Sequence, residues 1–439
     1  MESIWNEKIE QVRFSSLNGD RRTDVLVIGG GIAGILCAYK LKNAGVDCLL
    51  LEAGEICEGI TKNTTAKITL QHGLIYDKLI RKIGEEKAKL YLQTHQNALE
   101  EYRRICNTVS CDFETKDFYL YSKDSKEKIE KEIKALDRLS LAADFCDSVD
   151  LPFDIAGAMR IKNQAQFHPL KFLRAVVKDL NVYEHTKVLE LMPGKARTNQ
   201  GEILCKKIIV ATHFPVLNKH GSYFLKMYQH RSYVLALSGA ALPDGMYVDE
   251  NKKGLSFRAY GKTLLIGGGA HRTGKKGGGW RELESFANQH YPDAKMIAMW
   301  ATQDCMTLDG IPYIGRYSWR TPDLYVATGF NKWGMTSAMV SANILCDLIT
   351  GRENEYAPVF SPSRSIVQPQ LAINAFEAVY NLITPTAPRC PHLGCALKYN
   401  REEHTWDCPC HGSRFTKEGE LIDNPATEDK RSLKNFKTS

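Results

Sequence analysis

The 439-residue sequence predicts an α/β protein with a parallel-sheet domain, a β-rich second domain and a small C-terminal lobe. Three observations predict this fold class. An apolar run, a glycine-rich turn, a helical run and a second apolar run follow one another over residues 24–52. Residues 223–300 alternate in the manner of β-strands. Four cysteines lie within 21 positions near the C-terminus, apart from nine scattered ones.

The first element is a βαβ unit with the spacing of a dinucleotide site. The strand at 25–28 leads into GGGIAG (29–34) and a helix that runs to about Asn43, and a second strand at 48–51 ends on Glu52. The glycines permit a tight turn, close approach of a pyrophosphate and close packing of helix on strand. The helix N-terminus offers N–H groups to the phosphates. Glu52 is placed to bind ribose hydroxyls, which disfavours NADP and leaves FAD or NAD.

Composition indicates an ordinary globular chain, 43% hydrophobic and 25% charged. A net charge of +7 favours anionic ligands or a partner over nucleic acid. Arg21-Arg22 and the apolar run after them resemble an export signal, but that run has only 15 residues and coincides with the glycine motif. No other run is long enough to span a membrane. We therefore expect a cytoplasmic protein without nucleic acid or membrane span, and the scattered cysteines suit a reducing compartment.

The remainder of the first 215 residues extends the parallel domain or interrupts it. The loop at 59–73 is rich in Gly, Thr and Lys and is predicted to lie near a pyrophosphate or flavin, unless it is merely solvated. Charged and apolar residues alternate at helical spacing over 76–106 and 126–145, which predicts helices of an inserted region. A helix and three strands are then predicted at 170–180, 182–184, 188–191 and 207–212.

Strands at 233–237, 254–258 and 263–266, followed by a flexible glycine-rich loop, form the predicted second domain. Residues 324–351 then predict a strand, a turn and a helix whose N-terminus would stabilise negative charge on a reduced flavin. Five polar residues are candidate catalytic groups, although any single one is more often structural: His230, Arg231, Arg258, His271 and Lys332.

Several motifs together resemble the D-amino-acid oxidase and glycine oxidase-like superfamily of FAD-dependent oxidoreductases: GGGIAG with Glu52, QFHPLK (166–171), IIVAT (208–212), TLDGIPYIG (307–315) and YVATGFNKWGMT (325–336). The resemblance covers about residues 22–352. It implies a Rossmann-like FAD-binding domain, a β-rich substrate domain and C–N bond oxidation by hydride transfer to flavin. The residues expected to contact FAD are Gly29, Gly31, Ile32, Ala33, Gly34, Glu52, Thr65, Ala66, Lys67, Val188, Thr212, Gly310, Gly329, Trp333, Gly334, Met335 and Thr336.

Some members of that superfamily attach the flavin covalently through a cysteine. Thr302 stands at that place in this sequence, and Cys305 lies three residues nearer to the TLDG motif. The resemblance therefore predicts non-covalent FAD. It leaves the substrate open, because the substrate-gripping residues of well-known members have no clear counterpart here.

The C-terminal cysteines lie in two boxes, CPHLGC and CPCHGS. Two Cys/His pairs, Cys390 with His392 and Cys408 with His411, suit a [2Fe–2S] cluster with thiolates on one iron and imidazoles on the other. A structural zinc site is the alternative, because two thiolates and two imidazoles also suit tetrahedral zinc. Cys395 and Cys410 follow within the boxes and could form a bracing disulfide.

The boxes resemble the Rieske iron–sulfur family, with two departures. Only about 25 residues separate the linker from Cys390, so the lobe is expected to lack a full base domain and to lean on the flavin region. Phe415 stands where high-potential members have a tyrosine, and the missing hydroxyl predicts a reduction potential below theirs. Ser413 is kept. The resemblance implies electron transfer through the cluster.

The predicted division has three parts. Residues 1–352 form the flavin region, with nucleotide-binding parts at about 22–75, 155–215 and 300–352 and substrate parts at 76–154 and 216–299. Residues 353–384 form a linker with a helix over 366–383, and residues 385–439 form the cluster lobe.

The sequence predicts an oxidoreductase that acts on a small amine or amino-acid-like substrate and relays electrons from FAD through the cluster to an external carrier, or in the reverse direction. An O2-dependent FAD oxidase with a structural metal tail is the alternative. A basic FAD-containing protein that binds RNA is a third, but the chain has no arginine-rich or aromatic-interleaved stretch.

Overall fold

The computed structural model describes residues 2–6, 12–216, 220–385 and 388–430. The strands are β1 (Arg21–Ile28), β2 (Cys48–Leu51), β3 (Lys67–Ile68), β4 (Glu114–Ser122), β5 (Asp144–Cys146), β6 (Gly157–Gln166), β7 (Val182–Tyr183), β8 (Val188–Met192), β9 (Lys195–Thr198), β10 (Glu202–Val210), β11 (Met227–Ser238), β12 (Met246–Asp249), β13 (Ser256–Tyr260), β14 (Thr263–Arg272), β15 (Lys295–Thr307), β16 (Tyr313–Arg316), β17 (Leu324–Thr328), β18 (Lys398–Asn400), β19 (Thr405–Asp407), β20 (Arg414–Phe415) and β21 (Leu421–Asp423). The helices are α1 (Ile32–Asn43), α2 (Tyr76–Ile83), α3 (Glu85–Cys106), α4 (Lys126–Arg138), α5 (Pro169–Val177), α6 (Tyr223–Lys226), α7 (Gly279–His290), α8 (Gly334–Thr350), α9 (Ala357–Phe360) and α10 (Pro369–Ile383), with short 3-10 turns at Ile4–Asn6 and Ile60–Asn63.

The first sheet contains the predicted parallel βαβ unit. Its strand order is β16-β17-β10-β1-β2-β7, and β1 runs parallel to both β2 and β10. The apolar run at 25–28 is almost fully buried, as a strand covered on both faces requires. Helix α1 follows the glycine turn at once and packs against α8. The predicted strand–turn–helix order over 24–52 is confirmed.

The second sheet has nine strands, with the long strand β11 hydrogen-bonded between β14 and β15. It differs from the predicted division in that β6, placed with the nucleotide parts, pairs with β4 in this sheet. Strand β15 also continues past residue 300 to Thr307. The glycines at 267–269, expected in a loop, lie inside β14. Helix α4 ends at Arg138, so Phe145, expected in a helix, lies in β5.

The C-terminal lobe is a four-stranded antiparallel sheet, β18 to β21, around a small core. The predicted helix before it is present as α10. The preceding segment is anchored to the flavin region, because Phe360 is buried and the Arg364 guanidinium pairs with the Asp309 carboxylate at 2.7 and 3.0 Å. Within the described residues no helix is both long and apolar enough to cross a bilayer.

Candidate functional site

A cavity of about 1750 Å³ lies between the two sheets. This volume exceeds the roughly 300–1,000 Å³ of an ordinary small-ligand pocket, so the cavity has room for a dinucleotide together with a small substrate. Most of the residues predicted to contact FAD line it: Gly29, Gly31, Ile32, Ala33, Glu52, Thr65, Lys67, Val188, Thr212, Gly310, Gly329, Trp333, Gly334 and Met335.

The glycine turn is built for close approach. A Cβ atom on Gly34 would lie 1.9 Å from the Gly29 carbonyl oxygen, so a larger residue would force α1 away from β1. Gly29 adopts a φ of +109°, a backbone conformation that favours glycine. The Glu52 carboxylate accepts hydrogen bonds from the backbone N–H of Gly30 at 2.7 Å and of Gly54 at 2.9 Å, which hold it at the cavity edge.

Three of the predicted cofactor residues do not line the cavity but support its walls. Gly34 permits the contact between helix and strand. The Ala66 carbonyl accepts a 2.8 Å hydrogen bond from Arg258 Nη1, and the Thr336 hydroxyl donates to the Thr69 carbonyl at 3.1 Å. Burial, together with the neighbouring Arg258, lowers the pKa of the cavity-lining Lys67 to about 7.

Strand β11 forms the wall opposite the glycine turn. Tyr228, His230 and Ser232 line the cavity at a spacing of two, whereas Gln229 and Arg231 between them do not. The buried His230 Nδ1 and Ser232 Oγ have no hydrogen-bond partner within the described part of the chain. Buried polar atoms are normally paired, so both atoms are available to a ligand in the cavity.

Two ionisable groups complete this wall. Burial raises the pKa of Asp304 on β15 to about 6, although Lys332 opposes the shift. Burial lowers the pKa of Lys332, against the attraction of Asp304. Lys332 and the preceding Asn331 both have positive φ, +74° and +52°, and this turn places Lys332 at the cavity. Burial also lowers the pKa of His230 to about 3, so its imidazole is neutral at physiological pH.

The other candidate catalytic residues do not line the cavity themselves. Arg231 forms an ion pair with Glu403 of the C-terminal lobe, with Nε 3.0 Å from Oε1. Arg258 donates to the carbonyls of Thr65 and Ala66 and so supports the loop beneath the cofactor. His271 contacts the Tyr233 hydroxyl at 3.0 Å. Of the five candidates, only His230 and Lys332 line the cavity.

The two cysteine boxes converge in the C-terminal lobe. The imidazoles of His392 and His411 lie 4.9 Å apart between ring centroids and nearly perpendicular. The thiol of Cys408 contacts that of Cys390, and hydrogen bonds from Cys390, Cys395 and Cys410 lower its pKa well below the usual value. All four cysteines are buried. Two thiols and two imidazoles therefore meet on two loops, as the spacing predicted.

Features around these loops fit a cluster site. Gly394 and Gly412 have φ of +76° and +90°, a backbone region that favours glycine and permits the tight turns of the two loops. The Ser413 hydroxyl accepts from the Ala426 N–H at 2.9 Å and also hydrogen-bonds the Cys390 thiol. The sulfurs of Cys395, Cys408 and Cys410 lie within 4.8 Å of one another, and Cys395 and Cys410 are free thiols here. The buried Nδ1 of His411 has no hydrogen-bond partner among the described residues, as expected of a metal ligand.

The lobe docks against the cavity wall, and its residues 421–424 also line the cavity. The side-chain amide of Gln229 donates to the His411 carbonyl at 2.9 Å, and that of Gln303 donates to the Gly412 carbonyl at 2.9 Å. Asn424 donates to the carbonyls of Thr212 and Phe214, at 2.6 and 2.9 Å. Thr212 lines the cavity, while the Phe214 ring meets that of His392 edge-on at 6.5 Å. The expectation that the lobe leans on the flavin region agrees with these contacts.

A glycine-cradled dinucleotide site backed by a Cys₂His₂ lobe defines a flavin-dependent oxidoreductase with an appended iron–sulfur unit. The FAD-dependent oxidoreductase (DAO) family model matches residues 24–348, and the Rieske [2Fe–2S] domain model matches residues 372–437. The chain belongs to the DAO family of FAD-dependent oxidoreductases and carries a C-terminal Rieske domain. The family binds FAD and the Rieske domain binds a [2Fe–2S] cluster, which Cys390, His392, Cys408 and His411 would hold.

Relatives agree with both parts. The chain is 34% identical to a Bacillus subtilis protein named as a Rieske 2Fe-2S iron-sulfur protein, YhfW, over 98% of this chain and 97% of the relative. Among solved structures, glycine oxidase from Geobacillus kaustophilus superposes with a TM-score of 0.65 at 19% identity, covering 78% of this chain and 99% of the oxidase. L-Proline dehydrogenase from P. horikoshii gives 0.67 at 17% identity, covering 79% and 98%. These two likenesses establish the fold.

Sequence reasoning missed Asp304, Tyr228 and Ser232 in the cavity wall. The segment YQHRSY (228–233) carried a usable signal, because its residues alternate between two faces of a strand. Asp304 follows the same rule in β15, where Thr302, Asp304 and Met306 line the cavity and Gln303 points to the lobe.

Proposed function

We propose that this protein oxidises the C–N bond of a small amine or amino-acid-like substrate and passes the electrons through the Rieske cluster to an external one-electron carrier. The observation that carries the proposal is the shared wall of β11 and β15. Alternate side chains of these strands line the flavin cavity and hold the cluster loops. A flavin and a cluster held on two sides of one sheet are suited to exchange electrons.

The lining of the cavity supports a small charged substrate. Lys332 supplies a cation, and Asp304, with a pKa of about 6, supplies a carboxylate that is largely ionised at neutral pH. An amino acid carries both complementary charges. The two solved neighbours are named for glycine and L-proline as substrates. We infer that Lys332 attracts the substrate carboxylate and Asp304 the ammonium group, with His230 Nδ1 and Ser232 Oγ as further hydrogen-bonding groups.

When bound, FAD supplies a two-electron acceptor for a hydride from the substrate carbon next to nitrogen. The chain positions the substrate with His230, Asp304 and Lys332, which are half-buried in the cavity wall. Asp304 is suited to take the ammonium proton, because its pKa lies near the operating pH. The resulting neutral amine needs no further base to lose hydride.

Contacts between the cavity and the cluster loops support the proposed relay. Thr212 borders the cavity and Phe214, two residues later, contacts the His392 ring. Gln229 and Gln303 tie the backbone at His411 and Gly412 to the cavity wall. The same contacts serve flow in the reverse direction, from the carrier through the cluster to the flavin. The carrier is identified by testing which one-electron acceptor supports turnover.

The first experiment is the visible spectrum of anaerobically purified protein with its iron, zinc and flavin content, followed by low-temperature EPR after dithionite. Flavin bands, two irons per chain and a Rieske-type signal are expected. Candidate amino acids and amines are then mixed anaerobically with the protein in a stopped-flow instrument. Flavin bleaching should precede cluster reduction. Zinc in place of iron would remove the relay from the proposal.

A second outcome separates the relay from a self-sufficient oxidase. Cys408→Ser removes a cluster ligand while leaving the cavity-lining residues in place. Under the proposal this variant still bleaches its flavin with substrate but loses turnover with a one-electron acceptor. Rapid peroxide production in air at the same rate in both proteins would instead establish an O2-dependent oxidase.

A further inference from the structure

Helix α10 presents its polar side to the protein and its apolar side outward. Asn374 and Asn381 are buried, whereas Phe376 is 69% and Ile383 is 72% exposed. Globular helices normally show the opposite arrangement. The exposed large apolar residues of this surface, which we call the α10 face, are Val367, Ile373, Phe376, Val379, Tyr380, Leu382 and Ile383 from the helix and its lead-in and Leu393 from the first cysteine box.

The inward polar contacts fix this orientation. Arg272 Nη1 donates to Asn374 Oδ1 at 2.9 Å, and Lys275 Nζ lies 2.7 Å from Glu377 Oε1. The Ala396 N–H donates to the Asn381 carbonyl at 2.9 Å, and Arg389 donates to carbonyls at the helix end. Rotation of α10 to bury its apolar side would break these bonds, so the outward apolar face is a built feature.

The α10 face holds eight of the sixteen exposed large apolar residues in the described part of the chain. Contiguous exposed apolar patches beyond a few hundred Å² mark surfaces that meet a partner or a membrane. Between Arg364 and Arg389 the only charged residue in the sequence is Glu377, and its carboxylate is paired with Lys275. Tyr380 alone among the residues of the face carries a side-chain hydrogen-bonding group. A protein–protein interface normally contains several hydrogen bonds, whereas contact with the lipid interior needs none.

Cations border the face. Lys82 is exposed and donates to Gln368 Oε1 at 2.7 Å, next to the start of α10. Lys275 lies beside Glu377, and the following Lys276 is exposed. Apolar and aromatic side chains with flanking lysines match the anionic surface and acyl boundary of a bilayer. The chain's net charge of +7 adds to this attraction.

We infer that the α10 face seats the protein on the surface of an anionic membrane, without spanning it. Helix α10 lies against the cluster, since the Cys410 thiol reaches the Glu377 carbonyl at 3.8 Å and Leu393 adjoins the His392 ligand. Membrane seating therefore places the cluster beside the bilayer. The inference does not depend on the substrate or on the direction of electron flow.

Flotation of the full-length holoprotein with vesicles tests it. Vesicles of phosphatidylcholine with about 30% phosphatidylglycerol are compared with vesicles of phosphatidylcholine alone. Only the first carry the negative surface potential of an anionic leaflet. The holoprotein should float with the anionic vesicles, and more weakly with neutral ones. The triple variant Ile373→Ser, Phe376→Ser, Ile383→Ser should bind at least about tenfold more weakly, because it removes three apolar side chains that the bilayer would bury. Lys82→Glu with Lys276→Glu should reduce the preference for anionic vesicles.

The control is Leu189→Ser with Ile297→Ser, two residues that are 50% and 51% exposed on other elements and should leave flotation unchanged. Iron and flavin content verifies that each variant is folded. Absence of the holoprotein from floated vesicles would overturn the inference. A wild-type dimer that becomes monomeric in the triple variant, with no vesicle binding by either, would assign the face to a second copy.

Discussion

His230 and Arg231 are consecutive residues of β11, and their side chains lie on opposite sides of the sheet. His230 lines the flavin cavity, whereas Arg231 pairs with Glu403 of the cluster lobe. Asp304 and Gln303 repeat the relationship on β15. The two-residue period of a strand thus lets one wall serve both cofactors. Changes on one face of this wall should affect the lobe, and changes on the other the substrate.

Gln229→Leu tests the lobe face. Its amide donates to the His411 and Asn424 carbonyls at 2.9 and 3.0 Å, so the variant leaves both carbonyls without this partner. Loss of the buried His411 bond costs about 1–3 kcal/mol, whereas the part-buried Asn424 bond contributes less. We expect a free energy of unfolding lower by that amount and slower electron transfer from flavin to cluster, with flavin reduction by substrate unchanged. Urea unfolding and stopped-flow spectroscopy measure both, and Gln289→Leu on exposed α7 is the control. Unchanged transfer would show that the contact does not position the cluster.

Glu403 gives the docked lobe a defined pH dependence. Burial alone would raise the pKa of Glu403, but Arg231 and Arg414 hold it at about 2, below the ordinary 4.5. A depressed carboxyl pKa stabilises the fold above the ordinary value, and this stabilisation is lost as pH falls from about 4.5 toward about 2. Glu403→Gln should lower the free energy of unfolding at pH 7 by about 3–5 kcal/mol.

The difference between wild type and Glu403→Gln should shrink as pH falls through that window, which urea titrations at several pH values measure. Glu402→Gln is the matched control, because Glu402 pairs with Arg281, whose side chain is 82% exposed. Exposed pairs contribute about 0–1 kcal/mol. If the difference stayed constant down to about pH 3, the role of Glu403 would be packing, because packing, unlike the charge of Glu403, does not depend on pH.

Asp304→Asn tests the cavity face. Burial raises the pKa of Asp304 to about 6, so its carboxylate gains a proton as pH falls through that value. For the substrate identified in the stopped-flow screen, kcat/KM should fall below about pH 6 in the wild type. It should be low and flat between about pH 5 and 8 in Asp304→Asn, because no titrating charge remains to pair with the ammonium group. The exposed Asp293→Asn should keep the wild-type profile. If kcat/KM of Asp304→Asn also fell below about pH 6, that fall would belong to another titrating group.

The parts that sequence predicted are those encoded by local spacing. GGGIAG and its flanking strands specify one βαβ unit within 29 residues, and each cysteine box fixes its ligands within six. The substrate wall was found only in part. His230 and Lys332 were among the candidates, but nothing linked them to Asp304, because the three residues come from separated elements that meet only in the fold. Arg231 was a reasonable candidate beside His230, but strand alternation sent it to the other face.

Helix α10 shows a second limit. Its apolar spacing predicted a helix, and α10 confirms it. Spacing alone does not tell which side faces inward, and the usual rule places apolar residues in the core. Here Arg272 and Lys275, which lie on another segment, bind the polar side of α10 and reverse the rule. Such a reversal depends on contacts across more than 90 residues of sequence.

Gly34→Ala tests the cofactor cradle. The added methyl would lie 1.9 Å from the Gly29 carbonyl oxygen, and backbone cannot yield as a flexible side chain can. Overpacking of this kind costs about 1–3 kcal/mol. We expect lower thermal stability and a purified protein with less than about half the FAD of wild type, since the phosphate-binding turn is displaced. Flavin absorbance per chain measures the loss. The control is Gly261→Ala in the turn between β13 and β14, which does not line the cavity and where nothing lies within 4 Å of the added methyl. Equal FAD in both variants would contradict the prediction.

Cys305 should not hold the flavin covalently. Its thiol is buried, and burial raises its pKa well above the ordinary value, with Asp304 adding to the shift. The thiolate is the nucleophile that a covalent bond to flavin requires, so a permanently protonated thiol is unsuited to form one. Acid precipitation should release essentially all the FAD into the supernatant, in the wild type and in Cys305→Ser alike. A yellow pellet from the wild type with a colourless pellet from Cys305→Ser would show that Cys305, and not Thr302, occupies the attachment place in this chain.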